Sequence, residues 1–426
     1  MKGAKHMTKY TTAKKISWSL LFIYSVLAFS IHPDMVPFRG ALMTVVIAIV
    51  PVLLYTPRKI KLQHISILRH LIVIIILTAV SNLMYGEERL THFVMAIIFI
   101  ALIISLKLLV DSEDSLNTCL KIFFYPSFIG GPIIGLYQLA TGGYIFGTKA
   151  DVLTFESTII STVSQTNANY TAIAMLFSLL LSGALAFRLK KAYYYVFAIV
   201  SAICIVLTFS RTTILTMIAF VSLFLIVARK YKKKNKYSIK KVAMVIVVAV
   251  VLLVSYDTLC AIVVNYLDAS SIEKLLEIKQ TSTMDLRTDQ WKAAVDIVFS
   301  KGPLEFLIGF GEAAGEVMGG ISGRNMSAHN FFFGRLSENG VIGFIASIAL
   351  YVNIIRRFIR TRKYLDKGSL WIAYSVAIML VSYMMISNIT WEFIISITLF
   401  DIITNEAVVE RKYNESKIHS ERYRSY

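Results

Sequence analysis

Apolar stretches of about 20 residues recur from one end of this chain to the other, and each is long enough to cross a hydrocarbon core of roughly 30 Å. In lipid, every backbone N–H and C=O must find its partner inside the protein, which leaves helices or closed barrels. A barrel would read as alternating segments of about ten residues, and these runs do not alternate. The expected fold is all-α: a polytopic transmembrane helical protein, with residues 1–426 as a single integral-membrane domain. Composition agrees, because 56% of residues are hydrophobic and mean hydropathy is +0.66, well above soluble domains. No internal repeat is visible.

Hydropathy places about twelve spans near 16–31, 40–55, 70–85, 91–110, 119–140, 167–187, 193–209, 212–229, 242–262, 331–355, 370–388 and 391–405. The basic N-terminus MKGAKHMTKYTTAKK precedes an apolar run without a small-residue cleavage site, so that run reads as the first span and not as a removable signal. A net charge of +18 invites a nucleic-acid reading, but its placement opposes one. Lys2 to Lys15, Arg58 to Arg69, Arg188 to Lys191, the run RKYKKKNKYSIKK and the run RRFIRTRK all fall on one side of a twelve-span chain. That side is expected to be the cytoplasm, with both termini there. The charge is thus topological, facing lipid headgroups, with the cell membrane as location and no nucleic-acid partner.

Two loops on the opposite side are long. Residues 141–166 are rich in glycine and threonine, and residues 263–330 form the larger extracytoplasmic loop, between spans nine and ten. In the latter, SIEKLLEIKQ and DLRTDQWKAAVDIVFS have helical spacing, with Trp291, Ala294, Val295 and Val298 on one face. Pro303 and the glycines after it are expected to end that helix. Cys119, Cys204 and Cys260 show no CxxC spacing and no histidine neighbour, which reads as packing, without disulfide or metal.

The groups that chemistry can use concentrate between Arg287 and Gly343. Arg211, in TFSRTTIL, is a lone arginine on the face where basic residues are scarce. It either snorkels to headgroups or presents a fixed guanidinium to phosphate. Arg287 lies one turn before Trp291, and two guanidiniums on one face can hold a pyrophosphate in forked fashion. His329 and Asn330 stand where the loop re-enters the membrane. The histidine is a general base or an interfacial helix cap, and the asparagine is a sugar ligand or an ordinary N-cap. Arg335 and Glu338, a turn apart in an apolar helix, bind substrate or neutralise each other. Asn167 and Asn169, in SQTNANYTAIAM, bind sugar hydroxyls or shape a turn. GFGEAAGEVMGG lacks the strand that a nucleotide loop needs. No acidic pair with metal-ligand spacing appears in the outer loops, so neither metal nor other cofactor is expected.

Taken in order, NAN at 167–169, SRT at 210–212, R-x3-W at 287–291, G-x-G at 309–311, HN at 329–330 and E-x-G-x-x-G at 338–343 resemble the O-antigen ligase and O-antigen polymerase superfamily. Ala168 stands where that family often has proline. The resemblance implies glycosyl transfer at the outer leaflet, from a glycan on polyprenyl pyrophosphate to a sugar hydroxyl on another carrier, without metal. It implies that Arg211 and Arg287 engage the donor pyrophosphate and that His329 activates the acceptor. The expected partners are lipid-linked oligosaccharides, the bilayer and other polysaccharide-assembly membrane proteins, in the making of a capsule, exopolysaccharide or O-antigen. A polymerase, adding lipid-linked repeat units, is favoured by the modest outer loop; a ligase passing the glycan to a different acceptor is the alternative. A flippase would instead show internal repeats and charges at mid-membrane.

Overall fold

The computed structural model describes residues 2–31, 39–54, 67–85, 89–140, 144–145, 148–149, 168–208, 283–322, 330–383 and 389–405, and a few positions from 210 to 221. Its elements are α1 (Lys2–Phe29), α2 (Arg39–Leu54), α3 (Leu68–Tyr85), α4 (Arg89–Leu109), α5 (Glu113–Phe128), α6 (Ile134–Ala140), α7 (Ala168–Leu189) and α8 (Ala192–Leu207). After these come α9 (Thr283–Ser300), α10 (Pro303–Ile308), α11 (Ala314–Ser322), α12 (Phe331–Thr361), α13 (Lys367–Tyr383) and α14, residues 391–405. A two-residue antiparallel hairpin, β1 (Tyr144–Ile145) with β2 (Thr148–Lys149), pairs Tyr144 with Lys149. The all-α expectation is met, and each expected span inside the described residues coincides with a helix. The expected span at 242–262, most of that at 212–229, and the SIEKLLEIKQ helix lie outside the described residues.

Among the described residues, length and apolarity suffice for crossing a membrane in five stretches: Leu68–Tyr85, Thr91–Leu109, Glu113–Gln138, Tyr170–Leu189 and Phe331–Thr361. Within the most hydrophobic window of Tyr170–Leu189, 83% of residues are buried, so α7 forms the centre of the bundle. Its Gly183 admits the Trp371 indole of α13, where a Cβ would stand 2.3 Å from the ring. The indole Nε1 then donates to the Leu180 carbonyl at 2.9 Å. The start of α5 is locally encoded. Ser112 and Ser115 form a capping box, and Glu113 and Asp114 sit in the first turn, where the helix dipole favours them.

At one end of the bundle the fully buried Asp401 of α14 binds Lys107 of α4 and, at 2.9 Å, Arg357 of α12. Asn405 donates to the same carboxylate at 3.0 Å and receives Arg357. These charges lie in an otherwise apolar bundle, where they survive only by pairing.

The loop helices pack on α12. Ala293, Ala294, Ile297 and Val298 of α9 join Phe310, Ala314, Met318 and Leu336 in a small apolar cluster. Ala294 and Val298 are buried as the spacing predicts, Val295 is half-buried at the cluster's edge, and Trp291 is half-buried. α9 ends just before Pro303, as expected. The helix stops at Ser300, and Pro303 opens α10 behind the N-cap Gly302. A proline fits there because the first turn of a helix has no intrahelical use for its N–H.

Candidate active site

The site is organised by a break in α12. Gly340 has φ 64° and ψ −166° inside a 31-residue helix, a conformation open to glycine at little cost. Such a break removes carbonyls from the helical ladder, and buried carbonyls need new donors. The G-x-G turn supplies one, because the Phe310 N–H donates to the Ser337 carbonyl at 2.9 Å. Approach is close enough to forbid side chains on both sides. A Cβ on Gly340 would lie 2.4 Å from the Leu307 carbonyl, and one on Gly309 (φ +75°) would lie 2.4 Å from the Glu338 carbonyl carbon. The glycines of G-x-G and E-x-G-x-x-G, read in the sequence as separate motifs, are thus two halves of one backbone joint.

Helix α3 clamps the joint from the other side. Ser81 Oγ donates to the Ile308 carbonyl at 2.5 Å, and Asn82 Oδ1 accepts the Glu312 N–H at 2.6 Å. Gly311 (φ +58°) leaves room for Asn82, since a Cβ would come within 2.5 Å of its Oδ1. Behind the break, the buried Arg335 places Nη1 2.7 Å from Asn339 Oδ1 and 3.2 Å from Thr78 Oγ1, and pairs through Nη2 with Glu338. Its guanidinium lies 5.7 Å from the Phe331 ring centroid. Mutual neutralisation, one of the two sequence readings of Arg335 and Glu338, is therefore present. Forked donors satisfied from two helices suit a planar guanidinium and not an ammonium.

The first turn of α12 is fixed in two further ways. Asn330 is its N-cap, with Oδ1 accepting from Phe332 N at 2.9 Å and Phe333 N at 3.3 Å. The Trp291 ring stacks on Phe333 with centroids 5.3 Å apart and planes at 12°. That stack presses α9, which carries Arg287 one turn before Trp291, against the start of α12. Of the residues singled out in the sequence, Asn330, Arg335 and Glu338 are brought together along α12. Arg287 and Asn169 lie in α9 and α7 with their side chains outside the description, and Arg211, Asn167 and His329 lie outside the described residues. Beside Arg211, Ser210 Oγ donates to Thr213 Oγ1 at 3.0 Å, and Ile214 N donates to the Ser210 carbonyl at 3.0 Å.

The structure also adds ionisable groups that the sequence left unremarked. His92, in the first turn of α4, contacts Glu312 with Nε2 to Oε2 at 2.5 Å. Tyr85 donates its hydroxyl to Glu305 at 3.1 Å. His92 is a lone histidine in an apolar run and Glu312 stands 220 residues away, so no spacing signal joins them.

An all-helical bundle with several membrane-crossing helices defines a multi-pass membrane protein. Within it, residues 196–348 match the family model Wzy_C, O-antigen ligase, which is consistent with the superfamily that the motifs resemble. The match runs from α8 to the middle of α12 and takes in Arg211, Arg287, His329, Asn330, Arg335 and Glu338, whereas Asn167 and Asn169 precede it. No curated protein matches the chain.

Proposed function

We propose that this protein is a membrane glycosyltransferase that polymerises polyprenyl-pyrophosphate-linked repeat units at the outer leaflet. In this reading the chain has about twelve spans, both termini are cytoplasmic and residues 263–330 lie outside. The observation that carries it is the O-antigen ligase family match over 196–348, the segment holding both arginines and the histidine that the resemblance assigns.

Arg211 and Arg287 grip the donor pyrophosphate. The acceptor hydroxyl attacks the anomeric carbon, the new C–O bond forms, and the bond to pyrophosphate breaks with its electron pair on the departing phosphate oxygen. The guanidiniums stabilise that charge in a water-poor site, and His329 takes the hydroxyl proton. Asn167 and Asn169 contact sugar hydroxyls. Two packing facts support the assignment. The Trp291–Phe333 stack tethers the helix of Arg287 to the first turn of α12, which His329 precedes by two residues. Asn330 itself supplies the cap of α12, which fills the structural role offered as the alternative for His329. Arg335 serves as framework, holding Glu338 and Asn339 in place.

Purified enzyme given one lipid-linked repeat unit should yield a ladder of lengthening products. A ligase, the activity that gives the matched family its name, would give no ladder until a separate acceptor is supplied. Arg211→Lys and Arg287→Lys should both abolish transfer despite keeping their charge. His329→Ala should lower the rate by about 10²–10⁴-fold with donor affinity retained. Full elongation by all three variants at normal protein levels would overturn the reading.

A further inference from the structure

The end of α9 and the start of α10 form an elbow whose apolar side chains stand open. Phe299, Leu304 and Leu307 are 65%, 45% and 44% exposed. The other face of α9 is packed, with Ala294, Ile297 and Val298 buried beside Phe310 and Leu336. Phe299 and Phe306 meet edge to face across the elbow, with ring centroids 5.5 Å apart. Its tip is Lys301, Gly302 and Pro303, all exposed. Large apolar side chains clustered on a segment between spans mark a surface that something covers.

Depth along α12 says what covers it. Arg335 and Arg357, 22 residues apart, bracket about one hydrocarbon thickness on that helix. Gly340 is five residues inside Arg335, or about 7 Å at 1.5 Å per residue. The elbow reaches this level, because a Cβ on Gly340 would lie 2.4 Å from the Leu307 carbonyl. The other end of α9 stands further out, where Trp291 stacks on Phe333 in the first turn of α12. Helix α3 gives the same depth. Its Tyr85 hydroxyl donates to Glu305 at 3.1 Å and its Ser81 hydroxyl to the Ile308 carbonyl at 2.5 Å, so α10 lies beside the last turns of a helix that can cross the membrane. Val80, Leu83 and Met84 in those turns are exposed as well, and the elbow extends their apolar surface.

We propose that the α9–α10 elbow dips into the outer leaflet, with Phe299, Leu304 and Leu307 among the lipid acyl chains; only the choice of leaflet rests on the reading above. A depth of about 7 Å falls within the roughly 5–10 Å that interfacial amphipathic helices reach. The backbone tolerates it, since lipid penalises unpaired polar groups and this turn has few. Only Lys301 and Gly302 separate the two helices. Pro303 brings no N–H, the Gly302 carbonyl accepts from Phe306 N at 3.1 Å, and the Ile297 carbonyl accepts from Ser300 Oγ at 3.3 Å. Lys301 reaches back to headgroup phosphates on its long apolar stem. The anchor fixes the height of α9. Arg287 is twelve residues from Phe299, about 18 Å along the helix, which lifts it out of the hydrocarbon toward the headgroups, where the pyrophosphate of a lipid-linked donor lies.

The test is depth-dependent fluorescence quenching of the full-length chain in lipid nanodiscs. Leu304→Cys carries a bimane label, in a background of Cys119→Ala, Cys204→Ala and Cys260→Ala. The quenchers are aqueous iodide and lipids bearing a doxyl group either near the headgroup or near the chain end. The doxyl group near the headgroup should quench at least about twofold more than iodide does, as shallow immersion requires. Lys292→Cys, exposed on α9 nearer its outer end, should show the reverse order. Phe299→Cys is the second probe, at the most open of the three positions, should Leu304→Cys not fold. Stronger quenching by iodide at the elbow would overturn the proposal, because the face would then lie in water. Quenching by neither would also overturn it, since a second copy or another protein would then cover the face. No turnover is measured, so the result stands apart from the glycosyl-transfer reading, which full activity of Arg287→Lys would count against.

Discussion

The two ends of α12 carry two polar networks that solve different problems. Arg335 and Arg357 are 22 residues apart, or about 33 Å at 1.5 Å per residue, close to one hydrocarbon thickness. At the Arg357 end the helix is unbroken. Asp401 is fully buried, Lys107 and Arg357 bind its two oxygens, and Asn405 adds a further hydrogen bond. At the Arg335 end the helix breaks at Gly340, a turn from another part of the chain enters the gap, and His92, Glu312 and Glu338 stay partly open. A closed ionic knot ties three helices and leaves nothing for a ligand. A buried frame that holds open ionisable groups in place is the arrangement binding and catalysis require. The difference teaches that charge within an apolar bundle marks function where its frame is satisfied and its front is not.

This comparison can be broken by experiment. The largest effect is expected at the closed end. Asp401→Ala leaves Lys107 and Arg357, both largely shielded from solvent, without their anion and should cost up to about 3–5 kcal/mol of stability. Thermal unfolding in detergent would show it, while turnover per folded molecule should hold. Loss of turnover with an unchanged melting temperature would move this network into the functional class. At the open end the order should reverse. Gly340→Ala forces a side chain into φ +64° against the Leu307 carbonyl. Backbone strain alone costs about 1–3 kcal/mol, and turnover should fall by more than the loss of folded protein explains. Normal turnover would show that the break does not position the site.

The smallest effect belongs to Lys14 and Asp111, an exposed pair at 2.7 Å that joins α1 to the turn between α4 and α5. Partial burial pushes the Asp111 carboxyl up, but Lys14 and the hydroxyls of Ser115 and Ser112 outweigh it and hold its pKa below the ordinary carboxylate range. A depressed folded pKa stabilises above the unfolded value and loses that contribution as pH falls through the folded one. Lys14→Met should therefore reduce a slight acid-side loss of stability, visible only below the ordinary aspartate pKa, and leave the part that Ser115 and Ser112 sustain. Solvent and salt screen such a pair, so a large change would place it among the buried networks.

Much of the fold was legible because lipid imposes a simple rule. Runs such as 70–85 and 331–355 had to become helices, since nothing else satisfies their backbones. The sequence motifs also marked the segment that the family match covers. They did not reveal why those residues stand together. Gly309 and Gly340 read as two glycine motifs, yet their meaning is a single contact between backbones. Pro303 read as a stop, and it also proved to be a start, because proline fits the first turn as well as it breaks an interior one. His92 and Glu312 carried no signal, since their pairing depends on where the loop after α10 lands on α3 and α4. The sequence by itself determined an all-helical membrane protein and the stretch where its chemistry concentrates, because hydropathy and local spacing act over about 20 residues. Only the tertiary structure decided which charges are closed off and which remain open, because burial and pairing depend on neighbours hundreds of residues away.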